Sequence, residues 1–164
     1  MKKILSIALI VVLVVIDQLT KVGAQIFLQG KKPFKVIRDI IELRYLEGGN
    51  TGAAFGIFSG NTLALGILSV VVSIALIVVL MRMLNKPDKS LICWTLVFII
   101  SGAVGNGIDR ILRKYVIDFI YVPIINFPIF NVADMYVTCA AIVLFLLVVF
   151  EKKENENTEE TEEV

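Results

Sequence analysis

The chain of 164 residues contains no histidine, only two cysteines and no Gly-x-x-x-x-Gly-Lys phosphate-binding sequence. The absence of histidine excludes hydrolysis by a histidine-activated serine or cysteine, together with most zinc sites. Cys93 and Cys139 both lie among apolar neighbours, where a thiol usually contributes to packing. The serines of the apolar segments have no lysine at a matching depth for a Ser–Lys dyad. We therefore expect carboxylates to perform any reaction, without a metal or an organic cofactor.

Charged residues are also scarce, at 19% of the chain, and they leave long apolar runs between them. The chain is 57% hydrophobic, well above an ordinary soluble domain. Apolar runs of about 18 residues or more are typical of transmembrane helices, because a segment in lipid must satisfy its own backbone polar groups. Four such spans are predicted, at residues 4–27, 63–80, 91–108 and 132–150. The predicted fold is an all-α membrane protein with four transmembrane helices.

The first span follows two lysines, as a signal peptide would, but no small-residue cleavage site comes after it. We therefore expect a retained helix, and an even number of spans places both termini on one side. The positive-inside rule favours cytoplasmic termini, on the strength of Lys2, Lys3, Arg82, Lys86, Lys89, Lys152 and Lys153. The bias is modest, because the opposite loops also carry Lys31, Lys32, Lys35, Arg38, Arg44, Arg113 and Lys114.

The segment between the first two spans is the longest one outside the predicted membrane helices. Residues 34–38 and 40–45 roughly alternate apolar and polar side chains, which predicts short strands lying on the membrane surface, as a small extracytoplasmic β-like region. Residues 48–52 then break the pattern with three glycines. The loop 50–56 is expected either to cover an extended peptide as a lid or to act as a flexible connector. Residues 1–150 form one predicted domain, and residues 151–164 an acidic, disordered cytoplasmic tail.

Polar residues within the spans recur at helical spacing and form stripes. Asp17 and Lys21 lie four residues apart, which favours an ion pair. Two further stripes consist of Gly102, Asn106 and Asp109 and of Asn131, Asp134 and Thr138. Such residues can simply join helices by hydrogen bonds. Asp118 and Asp134, however, are interpreted as having no cation partner, and ionisable groups at membrane depth are usually functional.

Two carboxyl groups that cannot both ionise are what an aspartic protease uses to activate water. We expect Asp118 and Asp134 to share one proton, with Asn106 and Asn131 holding the aspartates or the substrate backbone. Arg110 is expected to pair with Asp109 or to hold a substrate carbonyl or a lipid headgroup. An ion transporter and a scaffold subunit are the alternatives. The chain shows no inverted repeat of the kind found in many transporters, and a scaffold subunit would not explain two unpaired aspartates.

Five ordered motifs resemble bacterial lipoprotein signal peptidase (signal peptidase II). They are Asp17-Gln18-Leu19-Thr20-Lys21, Asn50-Thr51-Gly52-Ala53-Ala54-Phe55-Gly56, Gly105-Asn106-Gly107-Ile108-Asp109-Arg110, Val116-Ile117-Asp118-Phe119 and Phe130-Asn131-Val132-Ala133-Asp134. The resemblance spans almost the whole chain and implies a four-helix membrane aspartic protease. It implies removal of a prolipoprotein signal peptide just before a diacylglyceryl-modified cysteine.

The resemblance further implies that Asp118 and Asp134 are the catalytic pair. The other matching positions are Asp17, Lys21, Asn50, Gly52, Asn106, Asp109, Arg110 and Asn131. Met135 and Tyr136 follow Asp134 where small hydroxyl residues are common in the family, which bears on the shape of the neighbouring pocket. The expected partners are the lipidated substrate and membrane lipids, with no nucleic acid, and four helices could suffice as a monomer in the bacterial cell membrane.

Overall fold

The computed structural model describes residues 3–52, 60–84, 86 and 89–162, with backbone alone for 151–162. Within these residues the chain forms four long helices, α1 Lys3–Leu28, α2 Thr62–Met83, α3 Ser90–Leu112 and α4 Val132–Glu162. Each is long and apolar enough to cross a membrane, α4 over Val132–Phe150. The prediction of four transmembrane helices is thereby confirmed. α3 ends at Leu112, later than predicted, because Asp109 lies buried against other helices instead of marking the end of the span.

The helix α3 forms the centre of the bundle and packs against α1, α2 and α4. In the most apolar 18-residue stretch of α3, 56% of the residues are buried, compared with 11–17% in the corresponding stretches of the other three helices. Val97 and Ile100 of α3 join Leu13 and Leu80 in the main apolar core. The outer faces of α1, α2 and α4 carry exposed aliphatic and aromatic side chains, as expected for surfaces in contact with lipid.

Two glycines allow α3 to approach its neighbours closely. A Cβ atom added at Gly102 would lie 2.5 Å from the backbone oxygen of Ala133, and one at Gly105 would lie 2.4 Å from Oδ2 of Asp17. Any larger residue at these positions would force α3 away from the start of α4 or from α1. The small residues therefore bring the polar side chains of three helices within bonding distance of one another.

A four-stranded antiparallel sheet covers one end of the bundle, in the order β1 Phe34–Ile37, β2 Ile41–Leu43, β3 Ile120–Val122 and β4 Phe127–Phe130. The first two strands confirm the predicted β-like region. The second hairpin was not predicted, because its strands are three and four residues long and are separated by a short 3₁₀ turn at Pro123–Ile125. Pairing of β2 with β3 joins the loop after α1 to the loop after α3.

This pairing continues beyond the sheet as isolated backbone bonds. The N–H of Arg44 donates to the oxygen of Phe119 at 2.9 Å, and that of Leu46 to the oxygen of Asp118 at 3.0 Å. Asn50 and Val116 form a two-way antiparallel bridge. Residues 116–119 are therefore held as an extended segment between α3 and the sheet.

In the structure α4 continues as a helix to Glu162, and the disordered cytoplasmic tail predicted from Glu151 stays a prediction. The lysines and glutamates of this segment are good helix formers, and a helix already begun in the span extends into them without a new nucleation step. Its division from the domain 1–150 stays a prediction.

Candidate active site

Asp118 lies in the extended segment between α3 and β3, among the buried residues Val116, Ile117 and Phe119. Its side chain is about 1% exposed. The amide of Asn131 donates to its Oδ1 at 2.6 Å, and the amide of Asn50 donates to its Oδ2 at 2.9 Å. Both oxygens thus have a neutral donor, and neither forms a salt bridge within the part of the chain that the structure describes.

The electrostatic surroundings raise the pKa of Asp118 from 3.8 to about 6. Burial is the largest cause, because it disfavours the charged form of the carboxyl. The negative charge of Asp134 acts in the same direction, while the hydrogen bonds from Asn50 and Asn131 and the charge of Lys21 oppose it. Asp118 is therefore the member of the pair that retains a proton more readily than an ordinary aspartate.

Asp134 occupies the first turn of α4 and takes part in a reciprocal cap of that helix. The Oδ1 of Asn131 accepts from the N–H of Asp134 at 3.0 Å, and the N–H of Asn131 donates to Oδ2 of Asp134 at 3.1 Å. This is the arrangement of a capping box, with asparagine and aspartate as the two partners. The positive end of the helix dipole stabilises a carboxylate there. Helix formation at residues 131–134 thus fixes the orientation of the Asp134 carboxyl.

Two asparagines connect the carboxyls to each other. The Nδ2 of Asn106 donates to Oδ1 of Asp134 at 2.8 Å. The Nδ2 of Asn131 donates to Oδ1 of Asp118 at 2.6 Å and to Oδ1 of Asn106 at 3.1 Å. The predicted contact of these asparagines with the aspartates is therefore present in the structure.

A buried ion cluster lies behind these asparagines. The Nζ of Lys21 is 2.9 Å from Oδ2 of Asp17 and 3.2 Å from Oδ2 of Asp109, and all three side chains are fully buried. Arg113 forms a further salt bridge with Asp109. Asp17 also accepts the N–H of Ala133 at 3.0 Å, which joins α1 to the start of α4. The predicted ion pair of Asp17 and Lys21 is thus observed, and the cluster ties α1, α3 and α4 together.

The guanidinium of Arg110 does not contact Asp109, which was one of its two predicted partners. Asp109 is paired with Lys21 and Arg113, and Arg110 instead donates to the backbone oxygen of Gly52 at 3.1 Å. Pairing of Arg110 with Asp109 is therefore wrong as a prediction, because Asp109 faces the ion cluster. The Nε of Arg110 is buried without a hydrogen-bond partner among the described residues.

A cavity of about 620 Å³ contains both carboxyls and the Arg110 guanidinium. Its polar wall includes Asn50, Asn106, Arg110, Asp118 and Asp134, and β4 with its preceding turn forms much of the apolar wall. Met135 lies on the wall, whereas Tyr136 packs edge-on against Phe98, with the ring centres 5.8 Å apart. Of the two departures from the family pattern, Met135 is therefore the one that shapes the cavity.

The loop predicted as a lid is only partly described. Asn50 and Gly52 lie beside the cavity, where the Oδ1 of Asn50 accepts the N–H of Gly52 at 2.9 Å. Gly48 and Gly49 have φ values of +82° and +68°, which glycine adopts without strain. Residues 53–56 of the predicted lid lie outside the described residues. The structure therefore places the base of this loop against Asp118 and Arg110.

Sequence reasoning did not assign functions to Gln18 and Arg113, although both belong to the cluster. The Nε2 of Gln18 bonds to Oδ1 of Asp109, and its Oε1 accepts from Nη1 of Arg113 at 3.0 Å. Arg113 follows Asp109 by four residues, which is the helical spacing of an ion pair. That spacing is the signal that could have identified it.

Comparison with known proteins agrees with this geometry. Residues 9–150 match the family model described as signal peptidase (SPase) II. A lipoprotein signal peptidase of Caldanaerobacter subterraneus is 40% identical over 147 residues, covering 89% of this chain and 97% of that protein. One from Clostridium acetobutylicum is 36% identical over 148 residues, covering 88% and 94%.

Solved structures are similar as well. A structure described as a bacterial membrane enzyme at 2.3 Å resolution is 30% identical, with a TM-score of 0.78 over 91% of this chain and 90% of that one. A second, described in the same words at 1.9 Å resolution, is 31% identical with a TM-score of 0.72, over 87% and 91%. The chain therefore belongs to the signal peptidase II family of membrane aspartic peptidases.

Proposed function

We propose that Asp118 and Asp134 are the catalytic pair with which this member of the signal peptidase II family cleaves prolipoprotein signal peptides. We further propose that the cut falls immediately before the diacylglyceryl-modified cysteine. The observation that carries the assignment is that both carboxyls line one cavity and are linked through the amides of Asn106 and Asn131. Asp17 and Asp109 are bound to Lys21, which leaves neither free to activate water.

The surroundings of the two carboxyls assign them different starting roles. Asp118 carries the proton in the reactive form of the pair, since burial and the charge of Asp134 raise its pKa to about 6; the share of this form falls as the pH rises above 6. Asp134 begins as the carboxylate, stabilised by the N–H of Asn131, the amide of Asn106 and the start of α4. The pair therefore starts with one proton and one negative charge, which is what water activation between two aspartates needs.

Cleavage then proceeds in two steps with the proton count conserved. The Asp134 carboxylate takes a proton from water as the water oxygen attacks the scissile carbonyl carbon, and Asp118 donates its proton to the carbonyl oxygen. In the second step the tetrahedral intermediate collapses. Asp134 gives its proton to the leaving nitrogen as the C–N bond breaks, and Asp118 recovers a proton from the hydroxyl that becomes the new carboxyl carbonyl. Both aspartates return to their starting states.

Substrate binding in this proposal uses the rest of the cavity. Arg110 has a buried Nε without a partner among the described residues, and it holds a substrate carbonyl or a lipid headgroup oxygen. The apolar side chains of β4 and of Met135 fit the acyl chains of the modified cysteine. Asn50 and Gly52, at the base of the loop, lie beside the extended peptide, which binds by strand-like backbone hydrogen bonds.

The same proposal fixes the placement of the protein in the bacterial membrane. Both termini are cytoplasmic, and the sheet and the cavity face the extracytoplasmic side, where a translocated signal peptide meets them. The protein acts as a monomer in contact with membrane lipids in this proposal. The substrate is a prolipoprotein, and no nucleic acid takes part.

A peptide assay with purified protein in detergent tests the assignment. Wild type should cut a diacylglyceryl-modified prolipoprotein peptide and leave the unmodified peptide intact. Asp118→Asn and Asp134→Asn should retain the folded state and lose activity by at least about a thousandfold, since each removes one of the two proton carriers. Asp39→Asn, which changes an exposed carboxyl on the β1–β2 turn, is the matched control. Near-normal cutting by either dyad variant would show that the pair is misassigned.

The transporter alternative finds no support in the comparisons. Proteoliposomes containing the wild-type protein should show no ion flux above that of empty vesicles. Flux together with absent peptide cleavage would reverse the conclusion.

A further inference from the structure

We propose that Lys21 is a positioning residue of the peptidase. Its ammonium group fixes the orientation of the Asn106 side-chain amide, and through Asn106 that of Asn131. Both NH₂ groups are thereby directed at the catalytic carboxyls. This inference rests on the proposed function. It assigns Lys21 a role in orienting the asparagine amides, in addition to joining the helices by ion pairs.

The ammonium of Lys21 is fully occupied by three acceptors. Its Nζ lies 2.9 Å from Oδ2 of Asp17, 3.2 Å from Oδ2 of Asp109 and 2.9 Å from Oδ1 of Asn106. An ammonium group has three N–H donors and no acceptor. Each of its partners must therefore present an oxygen. The side chain is 0% exposed, so bulk water does not compete for these bonds.

This requirement selects one of two ways in which the Asn106 amide can lie. The oxygen and the nitrogen of an amide have nearly the same shape, and hydrogen-bond partners decide between the two orientations. Because the Lys21 ammonium can only donate, it binds the Oδ1 of Asn106. The NH₂ group of Asn106 therefore points the other way and donates to Oδ1 of Asp134 at 2.8 Å. The donor that meets the catalytic carboxylate is therefore specified by a residue that does not touch it.

The same oxygen also orients Asn131. Oδ1 of Asn106 accepts a second bond from Nδ2 of Asn131 at 3.1 Å, and that NH₂ group donates its other hydrogen to Oδ1 of Asp118 at 2.6 Å. If the Asn106 amide were reversed, its oxygen would face the Asp134 carboxylate and its NH₂ group would face the NH₂ group of Asn131. Both new contacts would be repulsive. One ammonium group thus sets the direction of two donors, one for each carboxyl.

Arg113 provides the comparison that separates positioning from helix joining. Like Lys21, it forms a salt bridge with Asp109, but its other bond goes to Oε1 of Gln18. Among the residues that the structure describes, no hydrogen bond or ion pair joins Arg113 to Asn106. Arg113→Gln should therefore lower the melting temperature and leave kcat within about threefold of wild type.

The test uses Lys21→Met in an Asp17→Asn background, so that no buried carboxylate at residue 17 is left unpaired. Relative to Asp17→Asn alone, kcat should fall by roughly ten- to a hundredfold, the range expected when a catalytic group is misplaced. KM should change by less than about threefold, because Lys21 does not line the cavity. Lys21→Gln in the same background should restore part of kcat, since its NH₂ can donate to the Asn106 oxygen.

A double-mutant cycle shows whether the effect passes through Asn106. When Asn106→Ala is added, Lys21→Met should lower kcat no further, because the amide that it orients has already been removed. If Lys21→Met lowered kcat by the same factor with and without Asn106→Ala, the proposal would be overturned. A folded Lys21→Met protein with unchanged kcat would overturn it as well. If wild type failed to cut at all, the proposed function would fail; equal cutting by wild type and variant would refute the positioning role alone.

A spectroscopic measurement covers the case in which the Lys21 variants do not fold. In protein labelled with ¹⁵N-asparagine, the side-chain NH₂ signal of Asn106 should shift when Asp134→Asn removes the charge of its acceptor, and that of Asn131 should shift in Asp118→Asn. Signals can be assigned with Asn106→Ser and Asn131→Ser. An Asn106 signal that does not respond would mean that its NH₂ faces away from Asp134, which contradicts the proposal.

Discussion

Replacing Asp118 with asparagine should stabilise the protein progressively as the pH rises. In the folded state the pKa of Asp118 is about 6, above the ordinary value of 3.8. Below pH 3.8 the carboxyl is neutral in both the folded and unfolded states and has no effect. Above pH 6 it is ionised in both, and its charge then destabilises the fold. At about 1.4 kcal/mol for each pH unit between the two pKa values, this amounts to about 3 kcal/mol.

The useful quantity is the stability of the variant minus that of wild type, measured at pH 3.5 and at pH 7.5. The absolute difference at one pH also includes a mismatch, because Asn50 and Asn131 both donate to residue 118 and an asparagine there presents only one acceptor oxygen. That mismatch is present at both pH values. The change between them should be about 3 kcal/mol, which corresponds to roughly 6–12 °C in melting temperature for a chain of this size.

Thermal unfolding in detergent micelles gives this difference, with Asp39→Asn as the control for removing an exposed carboxyl. A difference that is the same at both pH values would show that burial imposes no cost on the Asp118 carboxylate. A difference that falls with pH would mean that the carboxylate is net stabilised by its donors. In Asp134→Asn, the ¹³C resonance of the Asp118 carboxyl should titrate at a lower pH than in wild type, since the neighbouring charge is gone.

Three further outcomes follow from the packing and from the hydrogen bonds. Gly105→Ala should lower the melting temperature, because its Cβ would lie 2.4 Å from Asp17, whereas Gly23→Ala meets nothing within 4 Å and should not. Arg110→Gln should raise KM by about ten- to a hundredfold with a smaller effect on kcat, and unchanged KM would exclude it from substrate binding. Asn131→Ala should destabilise the start of α4 by about 1 kcal/mol and lower kcat in the peptide assay, and a folded variant with normal kcat would contradict its contact with the dyad.

The helices were predictable because lipid permits few alternatives. A long apolar segment in a membrane has to be helical, and the four predicted spans differ from the observed ones mainly at their ends. The shared polar interior was also predictable from helical spacing, since Asp17 and Lys21, and Asn106 and Asp109, each occupy one helix face. In these respects the periodicity of the chain determines the structure directly.

The second hairpin and the partner of Arg110 could not be predicted in the same way. Strands of three and four residues have too little alternation to stand out, and they form here because β3 pairs with β2 from a distant loop. Asp109 and Arg110 are neighbours in sequence, but successive residues of a helix point in different directions. Asp109 therefore faces α1, while Arg110 faces the cavity and the oxygen of Gly52.

The central position of α3 has a consequence for how the enzyme is made. α1 supplies Asp17 and Lys21 of the ion cluster, the segment after α3 supplies Asp118, and the first turn of α4 supplies Asp134. The cap that orients Asp134 also requires the start of α4 to have folded as a helix. In the mechanism proposed above, a nascent chain with only three helices in the membrane lacks one of the two catalytic carboxyls and should be inactive until the last helix is inserted.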